Sequence, residues 1–229
     1  MTALGQVLRR LRASRSGVAV TEFALSLPLL MTAGMWGLET ANLAIVNMRV
    51  SQAALHIADN ASRIGDTSTL QDRKIYESDL NDVLLGANLQ AGGAIDLFEH
   101  GRVIVSSLEV VEGTEDQQYI HWQRCKGVKA FESAYGGEGH GLAGNLTGMG
   151  PEGEEVTAEP GEAVIFVEVS YDYQPLIGDV FTNTGEITTT AAFNVRDDRD
   201  LSQIYQRDGG SPDPAASCSV NDGFGATRG

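Results

Sequence analysis

"RSGVAVTEFALSLPLL", residues 15–30, continues without a break into "MTAGMWGLETANLAIVNMRVSQAALHIADNASRIG", residues 31–65, and how this stretch is read decides the layout of the chain. From Val18 to Leu38 it is apolar apart from Glu22 and a few small hydroxyl residues, and Phe23 to Leu38 carries no charge. About 20 such residues suffice to cross the hydrocarbon core of a bilayer as a helix. Beyond the apolar run, Leu43, Val46, Val50, Ala54, Ile57, Ala61 and Ile64 recur at spacings of three and four, which marks one apolar stripe. Neither Gly nor Pro interrupts Leu38 to Ile64. Span and amphipathic segment therefore read as one helix ending near 65, roughly 65 to 70 Å long at 1.5 Å per residue, with Gly65-Asp66 as its stop.

Charge sets the expected orientation. Arg9, Arg10, Arg12 and Arg15 precede the span in a segment without Asp or Glu, whereas the whole chain has 16 basic and 31 acidic residues and a net charge of −15. Without residues 1–17 the remainder carries 12 basic against 31 acidic residues, near −19. The positive-inside rule then puts the N-terminus in the cytoplasm and the acidic bulk outside. Such a surface repels phosphate backbones, so nucleic acid is not an expected partner. A secretory signal peptide also combines a basic segment with an apolar one, but Glu22 would lie inside its apolar region. Its best cleavage site, Thr32-Ala33-Gly34, is poor.

The basic leader, Gly17, four residues and then Glu22-Phe23 at the mouth of a long helix together resemble the prepilin signature of the type IV pilin superfamily. More narrowly, "GVAVTEFALSLPLL" is similar to the TadE/TadF-type pseudopilins of the Tad (tight adherence, Flp) pilus system, with their EF motif followed by a Leu-rich segment containing a proline. The resemblance covers about residues 10–65. It implies cleavage between Gly17 and Val18 by a prepilin peptidase at the inner membrane, with Glu22 as the acid at the fifth mature position and Phe23 completing the motif. Val18 departs from the small or aromatic residues often found at the first mature position.

Glu22 also has a physical motive of its own. A carboxylate near the hydrocarbon costs about 2.5 to 3.5 kcal/mol by insertion scales and calls for a cationic partner. Cleavage after Gly17 would create one, the α-ammonium of Val18, about one turn away or on a neighbouring subunit. Hydration of Glu22 at the interface is the alternative. Pro28, in the middle of the span, removes a helix donor and is expected to kink or loosen the helix.

The rest reads as an exported α+β body, expected over 66–206 and followed by a flexible tail, 207–229. "DRKIYESDLNDVLLGANL", 72–89, predicts a second helix with Ile75, Leu80, Val83, Leu84 and Ala87 on one face. Residues 94–113 and 117–125, broken by turns at His100-Gly101 and Gly113, predict three strands. "EAVIFVEVSYDYQPL", 162–176, and "GEITTTAAFNVR", 185–196, add two more. An antiparallel sheet against the long helix would bury both apolar faces, the layout that the pseudopilin resemblance also implies. Residues 136–161, rich in Gly and Glu, are expected to form a long mobile loop.

No catalytic constellation emerges. HExxH, GxSxG and P-loop motifs are absent from the sequence, and "GHGLAG", 139–144, matches GxGxxG without a strand before it or a helix after it. His56, His100, His121 and His140 are scattered; "RDDRD", 196–200, reads as a charged turn before it reads as a Ca²⁺ site. Cys125 and Cys218 fit either two free thiols or, if exported, one disulfide. The expectation is a non-enzymatic protein without cofactor or metal, acting through the inner membrane, a prepilin peptidase and other Tad pilins, pseudopilins and assembly components. A membrane-anchored, uncleaved periplasmic binding module and a secreted protein are the alternatives.

Overall fold

The computed structural model describes residues 5, 9, 12, 16–66, 72–93, 95–178, 185–196 and 198–223. Two helices, α1 (Ser16–Ala61) and α2 (Glu77–Ala91), precede four strands, β1 (Gly101–Val110), β2 (Gln118–Lys126), β3 (Ala163–Asp172) and β4 (Glu186–Asn194). The fold class is therefore α+β, with a long apolar N-terminal helix and an antiparallel sheet in the order β2-β1-β3-β4. Two compact units divide the chain: Met1–Ala44 with Pro175–Asn183, and Ile45–Gln174 with Thr184–Gly229.

In the second unit, the C-terminal half of α1 buries Val46, Val50, Ala53, Ala54, Ile57, Ala58 and Ala61, the stripe expected from spacing with two alanines added. Leu43 and Ile64, at its ends, are half-buried. The helix ends as the Arg63 N–H turns to Asn60 O, three residues back, and Gly65 takes φ +142°. Five residues later than its sequence suggests, α2 begins at Glu77. Residues 73–76 are held extended instead: Arg73 and Tyr76 form parallel bridges with Arg199 and Tyr205, and Tyr76 N–H donates to the Asp79 carboxylate at 3.2 Å. That contact satisfies a donor at the helix start. Ile75 is buried in this extended piece, while Leu80, Leu84 and Ala87 are buried on the helix.

Antiparallel pairing puts directly opposed residues on one face of the sheet. One face carries Val103, Val105, Arg124, Val167, Val169 and Tyr171 and looks toward the helical side. Arg124 Nε donates to Glu77 Oε2 at 3.0 Å at the start of α2, and the Tyr171 hydroxyl donates to Ile95 O at 2.8 Å just after it. Burial pushes the Tyr171 phenol up to about 12. Opposite lie Leu108, Ile120, Val164 and Phe166, which form a core with Met149 and Ala158. Both faces of β3 are thus covered, and nine of its ten residues are buried.

One expectation is corrected here. The sheet has four strands, not five, because "IDLFE", 95–99, does not extend. Asp96 has φ +43°, and both Glu99 and His100 N–H return to Asp96 O, so Ile95, Leu97 and Phe98 are buried in a turn. The Gly- and Glu-rich segment 136–161 covers the sheet: Met149 and Ala158 join its core, with Leu146 and Val156 packed alongside. Within it, Gly139 N–H donates to Ile120 O and Ile120 N–H to His140 O, along the outer edge of β2. A Cβ on Gly141 would lie 2.3 Å from Gln118 O, so glycine is required for that approach. As for the tail, residues 216–222 run beside β2, with Cys125 N–H bonded to Ala216 O and Gly127 N–H to Asp222 O; residues 224–229 lie outside the described residues.

The register of β1 against β2 shifts between Ser107 and Leu108, leaving His121 at the irregularity. Its Nδ1 lies 2.9 Å from Glu109 Oε2, and that carboxylate also accepts from Ser107 Oγ. The hydrogen bond to Glu109 raises the His121 pKa; partial burial opposes it, and Glu138 adds a smaller raising effect. A group whose folded pKa is raised contributes stability fully below its unfolded value, near 6.5, and loses it as pH rises through the folded value. Thermal midpoints are therefore expected to fall as pH increases upward from about 6.5, and His121→Asn should flatten that slope. An unchanged slope in the variant would exclude His121 as its source.

Candidate membrane and assembly helix

The first half of α1 belongs to the other unit, and its chemistry follows from what does not touch it. All described side chains from 17 to 34 are exposed, including Val18, Val20, Phe23, Leu25, Leu29, Leu30 and Met31, and Trp36 and Leu38 follow them. By length and composition the helix can cross a membrane, and none of its most apolar 18-residue window is buried within the protein. Water would penalise so large an apolar surface, whereas lipid or neighbouring apolar helices would not.

Hydroxyl groups along this segment turn back onto the helix. Thr21 Oγ1 donates to Val18 O at 2.8 Å, Ser26 Oγ to Phe23 O at 3.1 Å, Thr32 Oγ1 to Pro28 O at 2.7 Å and Thr40 Oγ1 to Trp36 O at 2.9 Å. Each is satisfied without water, as a lipid environment requires. Pro28 lies inside the helix and removes the donor that would serve Ala24 O, yet the helix continues through it.

Gly17 and Val18 are in the first turn of α1, and Glu22 and Phe23 follow one turn later, with Val18, Glu22 and Phe23 exposed. The leader preceding them lies outside the described residues except for Gly5, Arg9, Arg12 and Ser16. A Cβ on Gly17 would meet nothing within 4 Å, so the fold places no demand on that glycine. Any reason for glycine there must come from something the chain meets.

Glu39 is the residue that sequence reasoning passed over. It is the first charge after the uncharged run and is fully buried, 0% exposed. Its carboxylate accepts the N–H of Leu176 at 3.3 Å and of Ile177 at 2.9 Å, both in the β3–β4 loop and in the same compact unit. Position at the end of the apolar run was a legible signal; partners 137 and 138 residues away were not.

Elsewhere the candidate residues serve internal contacts. Cys125 and Cys218 form a disulfide across a separation of 93 residues. In "RDDRD", Arg196 reaches Asp59 at 3.3 Å, Arg199 donates to Ala61 O and Ile64 O, and Asp200 accepts from Ser202 and Tyr205; Asp197 lies outside the described residues. Asp200 is held below its usual range by those two hydroxyl donors. No group of three or more His, Cys, Asp or Glu side chains placed to hold a metal occurs among the described residues. His56 is exposed on α1. The arrangement offers an uncovered apolar helix with a short polar motif at its start and a buried carboxylate at its far end. No protein-family model, curated protein or solved structure matches the chain.

Proposed function

We propose that this chain is a minor pseudopilin-like subunit or assembly factor of a Tad-type pilus system, anchored by the first half of α1 in the inner membrane with its acidic body in the periplasm. What supports the reading is the division within α1. Its second half is seated in a core, whereas its first half carries an apolar surface that the protein leaves bare. Such a helix acts by association, first with lipid and then with equivalent helices of partner subunits. Gly17, which the fold itself does not need, and Glu22, which sits near the membrane boundary, take on roles as the residue before the cut and the partner of the new Val18 ammonium. Catalysis has no part in this function.

Intact mass and N-terminal sequencing of the membrane fraction test it in a host carrying the cognate prepilin peptidase. A mature start at Val18 is expected, and Gly17→Ala should keep residues 1–17 attached while leaving the body folded. Retention of Met1 in the unaltered protein would instead favour an uncleaved anchored binding module. A start near residue 35 would favour secretion.

A further inference from the structure

The β3–β4 loop departs from the strands that bracket it. β3 and β4 belong to the body, but residues 175–178 divide with the apolar half of α1. The tie is Glu39, whose buried carboxylate accepts two consecutive N–H groups from the loop. Hydrogen bonds to an ionised acceptor are among the stronger ones, and two from adjacent residues fix the orientation of the loop as well as its position. The loop is therefore held at the level of Glu39, immediately beyond Leu38, where the apolar run ends.

At that level the loop presents Leu176 outward, 69% exposed, with Pro175, Ile177 and Gly178 half-buried. A single exposed leucine is ordinary on a protein surface. This one is fixed beside the end of an uncovered apolar helix, where Trp36 and Leu38 are also exposed. Trp and apolar side chains at such a depth match the boundary between headgroups and acyl chains. Glu39 itself would be costly at that boundary without donors, and the loop supplies them.

We propose that residues 175–178 form a second contact with the bilayer, seated in the interface at the outer end of the span, with Glu39 as the residue that positions them. The occupant of this surface is lipid. The inference rests on the membrane-anchored reading of α1. It adds that the chain meets the membrane at two places in the sequence, with Glu39 and Leu176 137 residues apart.

The test uses the full chain in phosphatidylcholine vesicles, with one added cysteine labelled by an environment-sensitive fluorophore and the native disulfide left intact. Leu176→Cys probes the loop, Leu29→Cys the middle of the span, and Leu142→Cys an exposed site on the body. Iodide in the outer solution should quench the label at 142 and fail to quench those at 29 and 176. Quenching at 176 equal to that at 142, with 29 protected, overturns the loop contact and leaves the anchor standing. Quenching at 29 as well overturns the anchor. Adding Glu39→Ala should raise quenching at 176 to the level of 142 while 29 stays protected, and Glu39→Gln, which keeps an acceptor oxygen, should fall between. Full protection at 176 in both variants would overturn the positioning role of Glu39.

Discussion

Replacing Cys125 and Cys218 together by alanine is expected to lower the unfolding free energy of the body by about 4 to 5 kcal/mol. The bond joins residues separated by 93 positions. Loop-closure entropy for a ring of that size gives about 4.6 kcal/mol at 25 °C in the chain-entropy model. Local structure pulls in the same direction. Cys125 is buried in β2, and the backbone bonds from Cys125 to Ala216 and from Gly127 to Asp222 place the tail along that strand. In the alanine pair these bonds and the Arg102 contacts must hold the tail without a covalent tie, against the freedom of a chain end. Alanine avoids burying a new hydroxyl at the Cys125 site, which serine would do. Denaturant unfolding of the full chain in detergent should show a lower midpoint for the pair, and the same shift for the unaltered protein under reductant. Coincident midpoints would rule the bond out as a stabilising element.

Such a tail was not legible in the sequence, for a reason that also explains the Gly-rich segment. Helix α1 and strand β3 announce themselves because their hold is apolar and periodic, and Val50, Ala54 and Ile57 or Val164 and Phe166 fall where spacing puts them. Segment 136–161 and residues 207–223 have few apolar residues, and apart from Leu146, Met149, Val156 and Ala158 much of their attachment is through backbone groups on the edge of β2, a disulfide and one arginine. Backbone bonds to a distant strand leave no pattern in local composition. "IDLFE" fails the opposite way: Ile95, Leu97 and Phe98 are indeed buried, but composition does not distinguish a buried strand from a buried turn, and Asp96 at φ +43° decides for the turn. Along the first half of α1 the apolar run was legible as a local feature. The Glu39 tie needed the fold, because Leu176 and Ile177 reach it only through the path of β3.

Arg102→Met is expected to cost about 3 to 5 kcal/mol, although methionine matches much of the arginine stem. Arg102 lies on β1 and is 2% exposed. Its Nη2 donates to Cys218 O at 2.7 Å, and Nη1 to Gly127 O and Val220 O, each at 3.2 Å, and to the Asn221 side chain. Burial lowers its pKa and the charge of Asp222 raises it, but an arginine remains protonated throughout the working range. The guanidinium therefore acts as a charged clasp that gathers carbonyls from three places on the chain. Methionine would leave those carbonyls without a donor under the covered face of the sheet, and that desolvation is the main cost. Lysine keeps the charge but not the planar fork, so Arg102→Lys should lose less than methionine and still fall short of the native protein. Because the clasp and the disulfide hold the same residues, their effects should not add. In the background lacking both cysteines the tail is already loosened, and removing Arg102 should cost less than it does in the native background, by roughly 0.5 to 3 kcal/mol. A double-mutant cycle by denaturant unfolding, paired with proteolysis of the tail, measures that coupling. Strict additivity, or tail cleavage unchanged by Arg102→Met, would show that Arg102 does not hold the tail.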